Sequence, residues 1–338
     1  MSLIKYEIFN QVVELQSLTK AAKKLNLTQS AVSHAVSSLE AELGLSLLKR
    51  SKSGILPTTD GERVLPHIRQ VLQSNETLIQ EAAALRGVEI GTVKIGTFSS
   101  VSVHWLPLII RDFHSQCPSI EIKLMDGNHP EMEKMLSDGT IDLGFITLPT
   151  RDTFHVVPLK KDRMMCMMPI NHPLVCHTTI KLEQLTEEPF IMPASGCSTD
   201  MQRIFSQNQF QPKIKYEIEG DQGIIAMVQN GLGLSILPEM AALQLSGMVC
   251  CRPLEGEFYR TIGVAIPSYE TASPAAKKVY NFITQWITQY VADQEGSKNT
   301  DVRARGTGDA VISNHQIAKE ADVNRGTVYL HYAKKYDC

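Results

Sequence analysis

From the amino terminus the apolar positions repeat at helical spacing. Ile4, Ile8, Val12 and Leu15 recur with Phe9 and Val13 beside them, so Leu3 to Leu15 is predicted as an amphipathic helix. Ser17 or Thr19 is placed to cap a second helix running through Leu25, in which Ala21 and Ala22 leave room for close packing. Asn26-Leu27-Thr28 interrupts the pattern, and Thr28 is placed to cap a third helix from Gln29 to about Ala41. Val32, Val36, Leu39 and Leu43 form its buried stripe, leaving Gln29, Ser30, Ser33, His34 and Ser37 outwards. Short hydrogen-bonding side chains on an outward face suit a helix that reads base edges in a major groove. The same face also fits an ordinary solvated helix. Leu45 to Arg50 and Ser53 to Thr58 follow as a short two-stranded wing, with a glycine in its turn and bases at its tip.

After Gly61 the period becomes a heptad. Val64, Ile68, Val71, Asn75, Leu78, Ala82 and Leu85 are spaced alternately four and three apart, which sets them on one a/d seam that ends just before Gly87. Such a stripe needs a partner helix, from its own domain or from a second chain. Asn75 favours the second chain, because one polar seam residue fixes register and oligomer state. From Gly91 strands and helices alternate. Thr92–Phe98, Ile120–Met125 and Ile141–Ile146 read as strands around helices at Val101–Cys117 and Pro130–Asp138, a βαβαβ unit that implies a parallel sheet. A second unit runs from Met164–Ile170 through Phe190–Met192, Ile214–Glu219, Ser235–Leu237 and Met248–Pro253 to Arg260–Ile266, with helices near 200–208 and 222–230. A helix from Pro274 to Tyr290 closes it. The expected fold class is α/β, with two lobes behind a small helical module.

At 338 residues the chain exceeds a single minimal domain at ~150 residues per domain. Its 43% hydrophobic and 20% charged residues are those of a globular protein with a real core. No apolar run approaches the ~18 residues of a membrane span and no signal pattern opens the chain, so the expected location is cytoplasmic, with no membrane partner. Seven cysteines without a CxxC pair argue for reduced thiols and against a zinc ribbon. The net charge of −3 is unevenly spread: residues 17 to 58 hold six bases (Lys20, Lys23, Lys24, Lys49, Arg50, Lys52) against Glu40 and Glu42. That patch is where a polyanion docks.

Ser17 to Glu62 resembles the winged helix-turn-helix of LysR-type transcriptional regulators, carried by Leu18-Thr19-Lys20-Ala21-Ala22, Thr28 to Ser33, Leu39 to Gly44, Leu47 to Arg50 and Thr58 to Glu62. Ser30 stands where that family commonly has proline, and Leu48 where it has phenylalanine. Gly231 to Pro238 and the two lobes resemble the family's periplasmic-binding-protein-like effector domain, so the likeness spans Met1 to about Tyr290. It implies residues 1–60 as a DNA-binding domain, 61–88 as a dimerisation linker helix and 91–295 as an effector domain. Lobe I is then 91–160 with 268–295, and lobe II is 161–267. The resemblance further implies a homo-oligomer, dimer or tetramer, that binds double-stranded operator DNA and a small-molecule effector and works with RNA polymerase, as an activator or dual regulator rather than a pure repressor. DNA contacts are expected from Thr28, Gln29, Ser30, Ser33, His34, Ser37, Lys49, Arg50, Lys52 and Thr58.

Ligands of open α/β sheets bind beyond the carboxyl ends of strands, at helix N-termini. That rule selects Thr97, Ser99, Ser100, Asn128, His129, Thr147, Ser195, Cys197, Ser198, Thr199, Asp221 and Gln222, with no arginine clamp evident. Ser99 and Ser198 are equally helix caps. Cys197 sits where peroxide-sensing members of the resembled family carry a reactive cysteine, but Ser198 to Gln211 offers no second thiol. Ser-x-x-Lys pairs at Ser17/Lys20 and Ser46/Lys49 fall inside the DNA-binding match. Cys166, His172, Cys176 and His177 fit no common zinc spacing, and no P-loop, GxSxG or HExxH occurs. No catalytic residue, metal or cofactor is therefore expected. A solute-binding receptor would share the two lobes but not the N-terminal module, and an enzyme would need a base beside the cleft hydroxyls. In residues 296–338, Gly296 to Thr300 and Arg303 to Gly308 read as a polar linker. Ile317 to Tyr332 resembles the helix-turn-helix of TetR-type repressors without that family's ligand-binding helices, as a truncated fusion remnant would.

Overall fold

A computed structural model describes residues 2–52, 54–150, 153–194, 198–242 and 248–305, the side chains of 198–199 and 294–305 excepted. The chain forms two compact units, Met1–Thr288 and Gln289–Cys338. The first opens with helices α1 (Leu3–Leu15), α2 (Leu18–Lys24) and α3 (Gln29–Leu43). Ser17 Oγ accepts the Lys20 N–H at 3.2 Å and Thr28 Oγ1 the Ala31 N–H at 3.1 Å, so both predicted caps form. A hairpin follows, β1 (Leu48–Ser51) against β2 (Gly54–Pro57). Gly54 has φ 127°, and a Cβ there would lie 2.7 Å from the Gln16 carbonyl oxygen, which also accepts the Ile55 N–H at 2.9 Å. Only glycine lets the hairpin close onto the end of α1.

Two apolar clusters hold this module. Ile8, Val12, Ala21, Ala22, Val32 and Val36 form one, and Phe9, Leu39 and Leu47 join Leu65 and Ile68 of α4 (Thr59–Ala84) in the other. The sheet of the next domain starts with β3 (Gly91–Thr97), parallel to β4 (Ile120–Asp126) and to β5 (Leu143–Leu148). Between them lie α5 (Ser99–His104), α6 (Leu106–Gln116) and α7 (His129–Ser137). The single helix predicted over Val101–Cys117 is two, meeting at Trp105. Pro107 has no N–H to continue the ladder, and the break buries the indole at 1% exposure.

Strand β6 (His155–Pro169) is twice the length predicted, because Pro158 and the charged run Lys160-Lys161-Asp162-Arg163 conceal its first half. Beyond it come β7 (Pro189–Pro193), α8 (Ser198–Gln207), β8 (Lys213–Ile218), α9 (Asp221–Gln229), β9 (Ser235–Pro238), α10 (Glu239–Ala242), β10 (Val249–Pro253), β11 (Tyr259–Ile266) and α11 (Pro274–Arg305). The main sheet runs β10-β6-β11-β5-β3-β4, with β9 also on β6. Its β6 serves both lobes, pairing with β11 through its first half and with β9 and β10 through its second. In the second lobe Met164, Cys166 and Phe190 are buried on one face of the sheet and Met167, Ile191 and Ile224 on the other. Cys250 and Cys251 pack onto these opposite faces, as neighbours on a strand must. The linker expected at Gly296–Thr300 is instead helical as far as Arg305: no proline follows Pro274 there, and one glycine costs only ~1 kcal/mol. Ile317–Tyr332 lies outside the described residues.

Candidate functional site

On α3, Gln29, Ser30, Ser33, His34 and Ser37 are all exposed and, at ~100° per residue, span an arc of about 140°. Val32, Val36 and Leu39 are buried on the reverse face. Lys49, Arg50 and Lys52 stand exposed on the hairpin, with no ion-pair partner among the described residues. Thr28 and Thr58 differ from these. Thr28 caps α3, and the half-buried Thr58 accepts the Gly61 N–H at 3.0 Å and donates to the Ser46 carbonyl at 2.6 Å.

Along α4 the apolar seam divides in two. Val64 and Ile68 are taken up by the core of the helical module, whereas Val71, Leu78 and Leu85 are 44%, 67% and 88% exposed. Asn75 is half-buried and Ala82 exposed. The free part of the stripe therefore begins at Val71.

Between the lobes lies a cavity of about 400 Å³. Of the predicted residues, Ser99, Ser100, Asn128, Thr147 and Asp221 line it. Thr97 does not: it is 2% exposed and bonded to Ser102 Oγ at 3.1 Å, because β3 turns its side chain inward. The Asn128 side chain caps α7 by accepting the Glu131 N–H at 3.1 Å, while Glu131 accepts the Asn128 N–H at 2.8 Å. Ser195 and Cys197 lie outside the described residues, as does the Ser198 side chain.

The structure adds what the sequence missed. Arg260, from β11, reaches the cleft floor and donates to Asp162 of β6 at 2.9 and 2.7 Å and to Ser100 Oγ at 2.7 Å. An arginine thus lines the cleft where the sequence shows no evident arginine clamp, though it is bonded to Asp162. Asp162 is fully buried and also accepts the Met240 N–H at 3.1 Å. His129, which the strand-end rule also selects, lines the cleft, and Asp126, Asp200 and Glu219 complete the polar lining. His129 Nδ1 accepts the Thr147 N–H at 3.3 Å, and its Nε2 lies 3.6 Å from Glu133. Burial raises the Asp200 and Asp221 carboxyls above the usual range, and Arg203, 2.9 Å from Asp200, opposes that shift.

Two family models match: bacterial regulatory helix-turn-helix protein, lysR family, over residues 3–62, and LysR substrate binding domain over residues 86–288. The chain belongs to the LysR family. It is a DNA-binding transcriptional regulator with an effector-binding domain. The LysR regulator is 37% identical to the HTH-type transcriptional regulator YvbU of Bacillus subtilis over 82% of this chain and 96% of that one. It is 30% identical to the transcriptional activator CmpR of Synechocystis sp. over 73% and 82%. A full-length OxyR variant from Pseudomonas aeruginosa has the same fold, at a TM-score of 0.69 and 22% identity over 85% of this chain and 94% of that one. Among the described residues of the regulator, no helix is long and apolar enough to cross a membrane and no cluster of His, Cys, Asp or Glu could hold a metal ion.

Proposed function

We propose that this LysR regulator acts as a homodimer, or a dimer of dimers, in the cytoplasm, docking two copies of α3 in successive major grooves of operator DNA. Gln29, Ser30, Ser33, His34 and Ser37 read base edges; Lys49, Arg50 and Lys52 hold phosphates or the adjoining minor groove. Thr28 and Thr58 support these contacts by fixing the ends of α3 and α4. The open stripe of Val71, Leu78 and Leu85, with Asn75 between them, pairs the two copies. Residues 1–60 are the DNA arm, 61–88 the linker and 91–295 the effector domain. The exposed polar face of α3 beside three uncommitted bases carries this conclusion.

A small molecule in the cleft, bonded by Ser99, Ser100, Thr147 and Asp221 and by the Ser195–Ser198 loop, biases two arrangements of the dimer through its different affinity for each. Output is activation or dual control through RNA polymerase, a reading supported by the likeness to an activator. No catalytic step is assigned. The test is a mobility-shift assay against the chain's own upstream DNA. Ser33→Ala should lose about 1–3 kcal/mol of discrimination at one base pair. Lys52→Ala should weaken every duplex and flatten the salt slope by about 0.9. A purified dimer indifferent to any duplex at low ionic strength defeats the proposal. Deleting residues 298–338 should leave operator affinity unchanged; a large loss makes the tail a second DNA contact.

A further inference from the structure

Helix α3 carries a carboxylate close to the face assigned to base reading. At ~100° per residue Glu40 falls about 20° around the axis from Ser33 and, at ~1.5 Å per residue, about 10.5 Å further along it. A free acid there would repel a phosphate backbone. Instead, the half-buried Glu40 accepts through Oε1 the Leu47 N–H at 2.7 Å and the Leu48 N–H at 3.2 Å, the two amides that lead into β1. Lys49 and Arg50 are the next two residues, so at ~3.3 Å per residue their backbones lie within about 7 Å of the tethered amides. The same segment is held from the start of α4, where Thr58 donates its N–H to the Leu47 carbonyl at 2.9 Å and its hydroxyl to the Ser46 carbonyl at 2.6 Å. A bland account makes Glu40 an acceptor for two amides beside the buried Leu47 and nothing more. That account and a positional role differ in sign for the loss of the carboxylate, because removing a negative charge from this face by itself tightens binding to any duplex.

We propose that Glu40 is a positioning residue for DNA recognition: its carboxylate ties the first strand of the wing to α3 and so sets where Lys49 and Arg50 meet the backbone while Ser33 and Ser37 face the bases. The proposal rests on the phosphate role given above to Lys49 and Arg50. Charge-assisted bonds from one oxygen to two consecutive amides are short and strong, so helix and wing dock as one body. The far strand of the wing is tied separately, to the end of α1, by the Ile55 N–H on the Gln16 carbonyl at 2.9 Å. Without Glu40 the hairpin keeps that hold and its own pairing, but its first strand is released from α3. Two phosphate contacts then lose their preset spacing from the base contacts, and binding must supply the order that the free protein lacks. The basic patch thereby keeps its sign: of its two acids, Glu42 pairs with Lys5 of α1 and Glu40 is spent on the wing.

The test measures the affinity of the purified full chain for its own upstream DNA from about 50 to about 200 mM salt. The parent is compared with Glu40→Ala, Glu40→Gln, Lys49→Ala, Arg50→Ala and the double variant Glu40→Ala with Lys49→Ala. Lys49→Ala should flatten the salt slope of the parent by about 0.9, and Glu40→Ala, by releasing both bases, by about 1.8. Glu40→Ala should also weaken operator binding about tenfold although it removes a negative charge, and adding Lys49→Ala to it should change neither quantity further. Glu40→Gln, whose amide oxygen still accepts both N–H groups, should retain operator binding and the Lys49 effect. Thermal melting controls the fold, and Glu40→Asp, one methylene too short to reach both amides, supplies a second loss of the tether should Glu40→Ala misfold. If Glu40→Ala binds as tightly as the parent or tighter, or if Lys49→Ala costs as much in its background as in the parent, the acid is only a structural acceptor; the inference then fails while the wing contacts stand. If Glu40→Gln loses binding as Glu40→Ala does, the tether is not the cause and the inference fails as well. If Lys49→Ala and Arg50→Ala alter neither affinity nor slope in the parent, the wing reading itself falls, and the inference with it.

Discussion

Asp162 and Arg260 are 98 positions apart in sequence, yet each is within 5% of complete burial on its side chain. Removing one member leaves the other as an uncompensated buried charge, which typically costs about 3–5 kcal/mol. Asp162→Ala should lose that much in urea unfolding, and more than Asp162→Asn, whose amide oxygen can still accept the Met240 N–H. Asp221 carries the opposite sign. Burial lifts its folded-state pKa above the ordinary 3.8, so the native state holds more protons in the window just above that value and stability falls as pH rises through it. The penalty is complete once the pH has passed the folded-state value. Asp221→Asn should therefore stabilise the ligand-free protein at neutral pH, and the gain should vanish below the unfolded value; equal gain at both pH values would show that charge is not its source. Ser99, Ser100, Thr147 and Asp221 were legible because each follows a strand and opens or faces a helix. Arg260 was not, since it is a single charge at the start of an apolar strand and its partner lies on another strand. The conspicuous feature, in retrospect, is one arginine directly ahead of Thr261-Ile262-Gly263-Val264-Ala265-Ile266.

Local periodicity revealed most elements, and its failures share a cause: the deciding contact is distant. The three helices of the DNA arm, the hairpin and the parallel β3, β4 and β5 all follow from period and caps. The first half of β6 does not, because Lys160-Lys161-Asp162-Arg163 looks like a solvated turn until β11 lies alongside it. The α4 heptad is regular in sequence and divided in space, its first two members serving the core beneath α3. Dimerisation strength should divide with it. Leu78→Asp places a charge in the exposed part of the stripe, so it should dissociate the dimer in sedimentation experiments while the module keeps its melting behaviour. Ile68→Ala removes a residue 4% exposed and should destabilise the module itself by about 2–5 kcal/mol. If Leu78→Asp remains dimeric, the open stripe is not the interface.

At the scale of the whole regulator, the cleft and the DNA arm share a solid connection. Helix α7 begins at the cleft with Asn128 and His129 and, at ~1.5 Å per residue, ends about 13 Å away beside Asp138. There Arg69 of α4 lies 3.1 Å from the Asp138 carboxylate and donates from Nε to Asn10 of α1 at 3.0 Å. A single guanidinium thus joins the effector domain, the linker and the first helix of the DNA arm, and its side chain is 10% exposed. Two further polar contacts hold the same helix face, Gln73 to the Asp142 carboxylate at 3.0 Å and Gln80 to the Ala275 N–H at 3.1 Å. Coupling needs an element with two arrangements that both sites bias, and the candidate is α7, with cleft-lining residues at one end and Arg69 at the other. Arg69→Ala should loosen the arm without touching a base or a phosphate. Operator affinity should then change little in its salt slope, while the footprint or DNA bend shifts and reporter output becomes insensitive to the growth conditions that modulate the parent. The exchanged pair Arg69→Asp with Asp138→Arg should recover part of that response, since the ion pair is rebuilt with reversed polarity while the bonds of Arg69 to Asn10 and of Asp138 to Thr140 are lost. If Arg69→Ala keeps the parental bend and response, α7 is a packing element and the signal travels by another route.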